Sequence, residues 1–190
     1  MQLTEFQTYL DSYPVIASVK DENGLNACLP SNCRIVFVLY GSLLDIPMIV
    51  NRITEADKIA IVHLDLIDGL AARESAVDYI AAQTRAAGII STKSILIKRA
   101  KQLGLLAIQR FFLLDSLALS NIARQTAANN PDVIEVIPGA MPKIIKIISE
   151  DASVPVIAGG LLRDSSDVIN ALQAGARAIS STDPQIWAKI

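Results

Sequence analysis

The chain has one histidine, His63, and two cysteines, Cys28 and Cys33, in 190 residues. A zinc site of the usual Cys/His kind needs more donors than these. No metal and no cofactor are therefore expected, and the two thiols read as ordinary and reduced. Aromatic residues make up only 5% of the chain. That is a poor supply for the stacking platforms on which RNA readers hold unpaired bases, and no RNA-binding motif of known type is present. Charge of one sign is also missing. The formal net charge is −2, which gives no cationic field to draw in nucleic acid or anionic membrane non-specifically. The apolar runs are strand-sized, well short of the roughly 20 residues a membrane helix needs. The first thirteen residues are polar and mixed, unlike a secretory leader. The expectation is a cytoplasmic protein without membrane contact.

What the chain has in quantity is aliphatic. Fifty-two per cent of its residues are hydrophobic, mostly Ile, Leu, Val and Ala. This is the filling of buried parallel strands covered by helices. Eight short runs read as strands, at residues 15–19, 35–39, 59–65, 88–91, 105–110, 133–137, 156–159 and 178–181. Amphipathic stretches at 45–56, 75–86, 94–103, from 116 onward, 141–149 and 165–174 read as helices. Ser94, Ser116 and Asp164 or Ser165 stand where N-caps belong. Gly104 and Gly175 stand where helices end, and Pro142 suits a first helical turn. No Pro/Gly/Ser-rich linker divides the chain, so one domain over residues 1–190 is expected.

Repeated β/α units imply a parallel sheet with right-handed crossovers. The candidates are an open doubly wound sheet and a closed TIM-type (β/α)8 barrel. Eight units favour closure, in a compact version with short helices and loops. A Gly-x-Gly-x-x-Gly after the first strand and a Walker lysine are both missing, which removes the usual nucleotide signatures.

In such a barrel the C-terminal strand ends face the ligand. Gly159-Gly160 and Ser180-Ser181 end the last two strands, the usual phosphate location. Glycine lets backbone amides approach an anion closely, and the serines add hydroxyls. Asp65 and Glu135 are carboxylates suited to ligand hydroxyls, a divalent ion or acid–base work, unless Lys93 and Arg110 satisfy them internally. Either Gln109 or Arg110 faces inward, and strand alternation alone does not say which. His63 shares the parity of Asp65 and is more often a hydrogen-bonding partner than a catalyst. Lys98, Arg99 and Lys101 form the densest basic patch, with Lys143 and Lys146 on a later helix. Fold analogy by itself points to an enzyme of phosphorylated polyols, such as a lyase, isomerase or phosphodiesterase. A clear catalytic set is missing.

Several segments occur in order: IVHLDLIDGL at 61–70, GIISTKS at 88–94, IQRFFLLDS at 108–116, EVIPGAMPK at 135–143 and PVIAGGL at 155–161. Together they resemble the glycerol-3-phosphate-responsive antiterminator family, the glycerol uptake operon regulators, from about Tyr13 to Trp187. The resemblance implies a TIM-type barrel that senses glycerol 3-phosphate. It implies a regulator, not an enzyme, that lets transcription pass a leader terminator by contacting leader mRNA. On that reading Gly159, Gly160, Ser180 and Ser181 take the phosphate. Asp65, Glu135 and Gln109, with Lys93 and His63 nearby, take the polyol, and Lys98, Arg99 and Lys101 face RNA. Self-association is left open. One departure stands out. Family members carry polar residues, an acid among them, along the second strand, whereas Phe37 and Leu39 make it wholly apolar here.

Overall fold

The computed structural model describes residues 1–188. Eight parallel strands, β1 (Val15–Val19), β2 (Ile35–Val38), β3 (Ile59–His63), β4 (Gly88–Ser91), β5 (Leu106–Phe112), β6 (Val133–Ile137), β7 (Val156–Gly159) and β8 (Ala178–Ser181), close into a barrel in sequence order. Closure is made by β8 on β1, with Ile16 opposite Ser180. The helices are α1 (Leu3–Ser12), α2 (Glu22–Cys28), α3 (Ile46–Glu55), α4 (Glu74–Gln83), α5 (Ser94–Gln102), α6 (Ser116–Asn129), α7 (Pro142–Asp151), α8 (Ser165–Gln173) and α9 (Pro184–Trp187). The closed TIM-type barrel is thus the architecture, and the open sheet is excluded. Among the described residues no helix is long and apolar enough to cross a membrane.

Strand side chains alternate between two cores. Ile16, Ile35, Phe37, Ile59, Ile61, Ile90, Leu106, Ile108, Val133, Ile157 and Ala178 fill the barrel interior. Their neighbours along the strands, among them Val36, Val62, Ile89, Ala107, Val136 and Ile179, pack outward against helix residues such as Ile49, Ile53, Val77, Ile97, Ile145 and Val168. Fully burying one such aliphatic side chain contributes about 1.5–3 kcal/mol, so both layers resist truncation. Phe6 and Leu10 of α1 belong to the interior cluster. The first helix therefore seals the N-terminal end of the barrel. Leu3 and Tyr9 pack beside that pair, and the polar residues interleaved among these four in a ten-residue segment are why it does not read as a helix in the sequence.

The caps refine the expected boundaries. Asp115, not Ser116, caps α6 by accepting the Ala118 amide at 2.7 Å. Ser94 is the first residue of α5, not its cap; Lys93 precedes it. Asp164 caps α8 through the Asp167 amide. Gly104 and Gly175 take positive φ of 72° and 102° after α5 and α8, as a helix end requires. The third strand is shorter than 59–65, because the chain turns into a 3-10 segment at Leu64–Leu66.

Candidate ligand site at the barrel mouth

The interior alternation decides which side chains reach the C-terminal mouth. With Leu106 and Ile108 inside, Arg110 follows them inward and Gln109 is turned out. The same parity brings Ser18, His63, Glu135, Gly159 and Ser180 to the end of the barrel interior. Glu135 is completely buried. It lies opposite Arg110 in the β5–β6 register, and Arg110 Nε donates to its Oε2. Its second oxygen accepts from Ser180 Oγ at 2.6 Å. Both carboxylate oxygens are therefore committed within the protein. Glu135 positions a cation and a hydroxyl and does not itself wait for a ligand, which is the internal satisfaction the sequence left open. Burying two charges costs several kcal/mol per ion, and only good geometry with further hydrogen bonds offsets it.

Gly159 explains why this arrangement fits. A Cβ built there would lie 2.5 Å from Ser180 Oγ and 2.7 Å from Glu135 Oε1. Glycine is what allows the serine and the carboxylate to meet over β7. Beyond it, Gly160 and Leu161 both take positive φ, 74° and 59°. Such a conformation in leucine costs roughly 1–2 kcal/mol, and strain of this kind clusters at ligand sites. Among the described residues, no protein acceptor takes the Gly160 or Leu161 amide. The loop after β6 packs underneath, with the Gly139 amide donating to the Gly160 carbonyl at 3.0 Å.

His63 closes the other side of the polar layer. It is 2% exposed, and its Nδ1 has no partner among the described residues. Burial, aided by the Arg110 charge and opposed by Asp65, pushes its pKa down to about 4. At neutral pH it is an uncharged ring. The consequence for stability has a definite sign. The unfolded ring titrates near 6.5, so between pH 6.5 and 4 the unfolded chain binds the extra proton. Stability is complete above pH 6.5 and falls on acidification, by on the order of 3 kcal/mol at pH 4. Urea unfolding of the wild type and of His63→Gln checks this. The wild type loses stability across that window and the variant shows a flatter profile. Parallel profiles would show that His63 is not the group responsible.

Asp65 lies on the 3-10 segment after β3 and is exposed. Its Oδ1 accepts from Ser91 Oγ at 2.6 Å, and its Oδ2 accepts from the Thr92 amide and hydroxyl at 2.8 and 2.7 Å. Burial pushes its carboxyl up, but the donors from Ser91 and Thr92 outweigh that and hold it below the usual range. Asp65 ties β3 to the end of β4; Lys93 is not its partner. Lys93 is exposed at the head of α5.

Two expected ligand residues are placed elsewhere. Gln109 is buried against the helices, where its Oε1 accepts from Asn129 Nδ2 at 3.1 Å. Ser181 is turned outward by strand alternation, and its Oγ accepts from the Asp183 amide at 3.1 Å. Its carbonyl takes the Trp187 indole N–H. The Asp183 carboxylate caps the short α9 through the Gln185 amide. The phosphate candidates that remain together are Gly159, Gly160 and Ser180, and Arg110 joins them. On the outer surface, the Lys98–Arg99–Lys101 patch of α5 is partly neutralised. Arg99 Nε pairs with Asp78 at 2.7 Å and Lys101 pairs with Asp132, while Lys98 is exposed. On β2, Phe37 is fully buried in the barrel interior, so that strand presents an apolar side chain to the axis.

The profile of the family described as "Glycerol-3-phosphate responsive antiterminator" matches residues 15–187. The chain belongs to this family. Its match region covers every strand of the barrel and all four residues of the polar cluster. A curated Escherichia coli K12 protein, "Uncharacterized protein YgcP", is 42% identical over 174 residues, covering 92% of this chain and 91% of that one. The crystal structure of the glycerol uptake operon antiterminator regulatory protein from Listeria monocytogenes is similar with a TM-score of 0.88 at 29% identity, covering 91% of this chain and 94% of that one. A glycerol uptake operon antiterminator-related protein from Thermotoga maritima gives a TM-score of 0.82 at 29% identity, with 92% and 98% covered. Antiterminator family members are thus similar to this chain in both sequence and fold.

Proposed function

We propose that the barrel mouth binds glycerol 3-phosphate and that occupancy controls antitermination through contact with leader mRNA. The observation that carries the reading is the prepaired Arg110–Glu135–Ser180 cluster around Gly159. The guanidinium edge not used by Glu135 and the Gly160 amide suit the phosphate oxygens, and charge-assisted bonds of this kind are the strong ones, while Ser180, whose proton goes to Glu135, holds that carboxylate in place. The neutral His63 ring suits the glycerol hydroxyls, and Asp65, exposed unlike Glu135, keeps a free lone pair on Oδ1 beside its Ser91 bond. The reading is of a regulator rather than an enzyme. Among the described residues, the inward polar layer offers no lysine for carbonyl chemistry, and Lys93 is exposed.

Thermal unfolding with added ligand tests the binding half. A ligand at 100 times its dissociation constant stabilises by about 2.7 kcal/mol, which for a domain of this size raises Tm by roughly 5–10 °C. Glycerol 3-phosphate should do this, and glycerol should not. An unchanged melt at millimolar glycerol 3-phosphate rejects the assignment.

The RNA half is tested by a ligand-dependent shift of leader RNA. Charge reversal at Lys98 and Arg99 on α5 is expected to abolish the shift, since phosphate contacts supply most of the affinity. Retained binding would move the RNA face off α5. Single-stranded leader that shifts equally with and without ligand would instead separate RNA contact from sensing.

A further inference from the structure

At the opposite pole of the barrel, under the starts of β1, β2 and β3, lies a cavity of about 530 Å³. That is the size range of small-ligand pockets. Its lining includes Ser12, Tyr13, Ser31, Asn32, Arg34 and Lys58, and no aspartate or glutamate. Lys58 is only 6% exposed. Its Nζ donates to the Ser31 carbonyl at 2.7 Å and the Cys33 carbonyl at 2.6 Å. An ammonium carries three donors, so one remains. A buried charge is ordinarily met by an opposite charge, yet among the described residues no carboxylate pairs with Lys58 or with Arg34. Arg34 stands over the Tyr13 ring at 5.7 Å and gives a single 3.3 Å bond to the Asp57 carbonyl. Burial lowers the Lys58 pKa; the nearby Cys28 and Cys33 oppose this, and the Arg34 charge adds a smaller push in the same direction as burial. Two like charges thus share one polar cavity.

A structural staple alone accounts for part of this. Lys58 joins the loop before β2 to the start of β3. It does not account for a second cation, for hydroxyl and amide groups around the same space, or for the missing carboxylate. Residues at this pole of a barrel ordinarily serve stability, and burying a cation without a counter-ion works against it.

We infer that this cavity is a second anion site, independent of the mouth, in which Lys58 and Arg34 hold a phosphate-type oxyanion with Asn32 and Ser12 supplying neutral hydrogen bonds. The shared chemistry is the phosphate group, carried either by a free metabolite or by an RNA backbone.

The test is a titration of the 15N-labelled full chain, with inorganic phosphate in one arm and a single-stranded octaribonucleotide in the other. The Asn32, Cys33, Arg34 and Ile59 amides are expected to shift saturably, apart from any shifts at residues 159–182. Response to inorganic phosphate identifies a free phosphate ligand. Response to the oligonucleotide alone identifies the RNA backbone. Either upholds the oxyanion site. Arg34→Gln should weaken the response at this pole at least tenfold and leave residues 159–182 as they were. Lys58→Met should abolish it, but that variant also removes the loop staple, so Arg34→Gln is the deciding one. Silence at Asn32–Arg34 in both arms overturns the inference, as does a response that Arg34→Gln does not weaken. Because the two poles report through different amides, failure here leaves the reading of the mouth untouched.

Discussion

Replacing Glu135 by alanine lowers the unfolding free energy by about 3–5 kcal/mol, the usual cost of leaving a buried charge without its partner. Arg110 is 8% exposed and cannot escape to water without moving. Ser180 loses the acceptor of its 2.6 Å bond at the same time. Urea unfolding monitored by circular dichroism checks the size. The double variant Glu135→Ala with Arg110→Met removes both charges, and most of the lost stability should return. A single variant within 1 kcal/mol of wild type would show that the pair is not desolvated as described. Recovery in the double variant without recovery of glycerol 3-phosphate binding would separate the two roles of the cluster, since an apolar replacement keeps the packing and discards the cation.

On the proposed reading of the mouth, glycerol 3-phosphate binding is expected to fall about 100-fold in Gly159→Ala, a loss of about 2.7 kcal/mol. The new methyl would stand 2.5 Å from Ser180 Oγ and 2.7 Å from Glu135 Oε1. Both atoms must retreat, and their retreat takes the hydroxyl and the guanidinium out of position. Overpacking of this kind costs typically 1–3 kcal/mol of stability, so the fold survives while the site does not. Gly104→Ala is the control. It too carries an unusual backbone, with φ of 72°, but a Cβ there meets nothing within 4 Å. It should cost stability through backbone strain and leave affinity unchanged. Calorimetric titration of both variants decides the matter. Equal affinity in Gly159→Ala and wild type would move the phosphate away from β7.

The barrel was legible in the sequence because its strands are buried on both faces. Val156–Gly159 and Ala178–Ser181 read as strands from composition alone, and their observed limits are the same. Helices with a broad apolar stripe, such as α3 with Ile46, Ile49 and Ile53, were equally plain. What hid was whatever depends on partners distant in sequence. Phe6 and Leu10 make α1 a plug only because the barrel floor lies above them. Arg110 and Gln109 are adjacent, and only the position of Ile108 in the interior says which one turns in. Glu135 meets Ser180 across 45 positions, and no local pattern announces that. Ser181 looked like a second phosphate ligand because two serines in a row carry no sign of which faces the axis. Asp65 read as the end of a strand, because a 3-10 turn of Leu-Asp-Leu looks like strand continuation until Ser91 and Thr92 are seen to hold it.

Arg110, Glu135, Gly159 and Ser180 come from β5, β6, β7 and β8, four successive strands. The mouth cluster is therefore the property of one contiguous half-barrel. The other half, β1 to β4 with α1 beneath, closes the ring and contributes His63 from β3. Such an arrangement is modular. A chimaera that keeps the second half and borrows the first from a relative should retain the cluster's own contacts, with the β4–β5 and β8–β1 seams as the only new strand pairings to accommodate. Divergence can then work on the first half without dismantling the cation and hydroxyl that the second half holds in place.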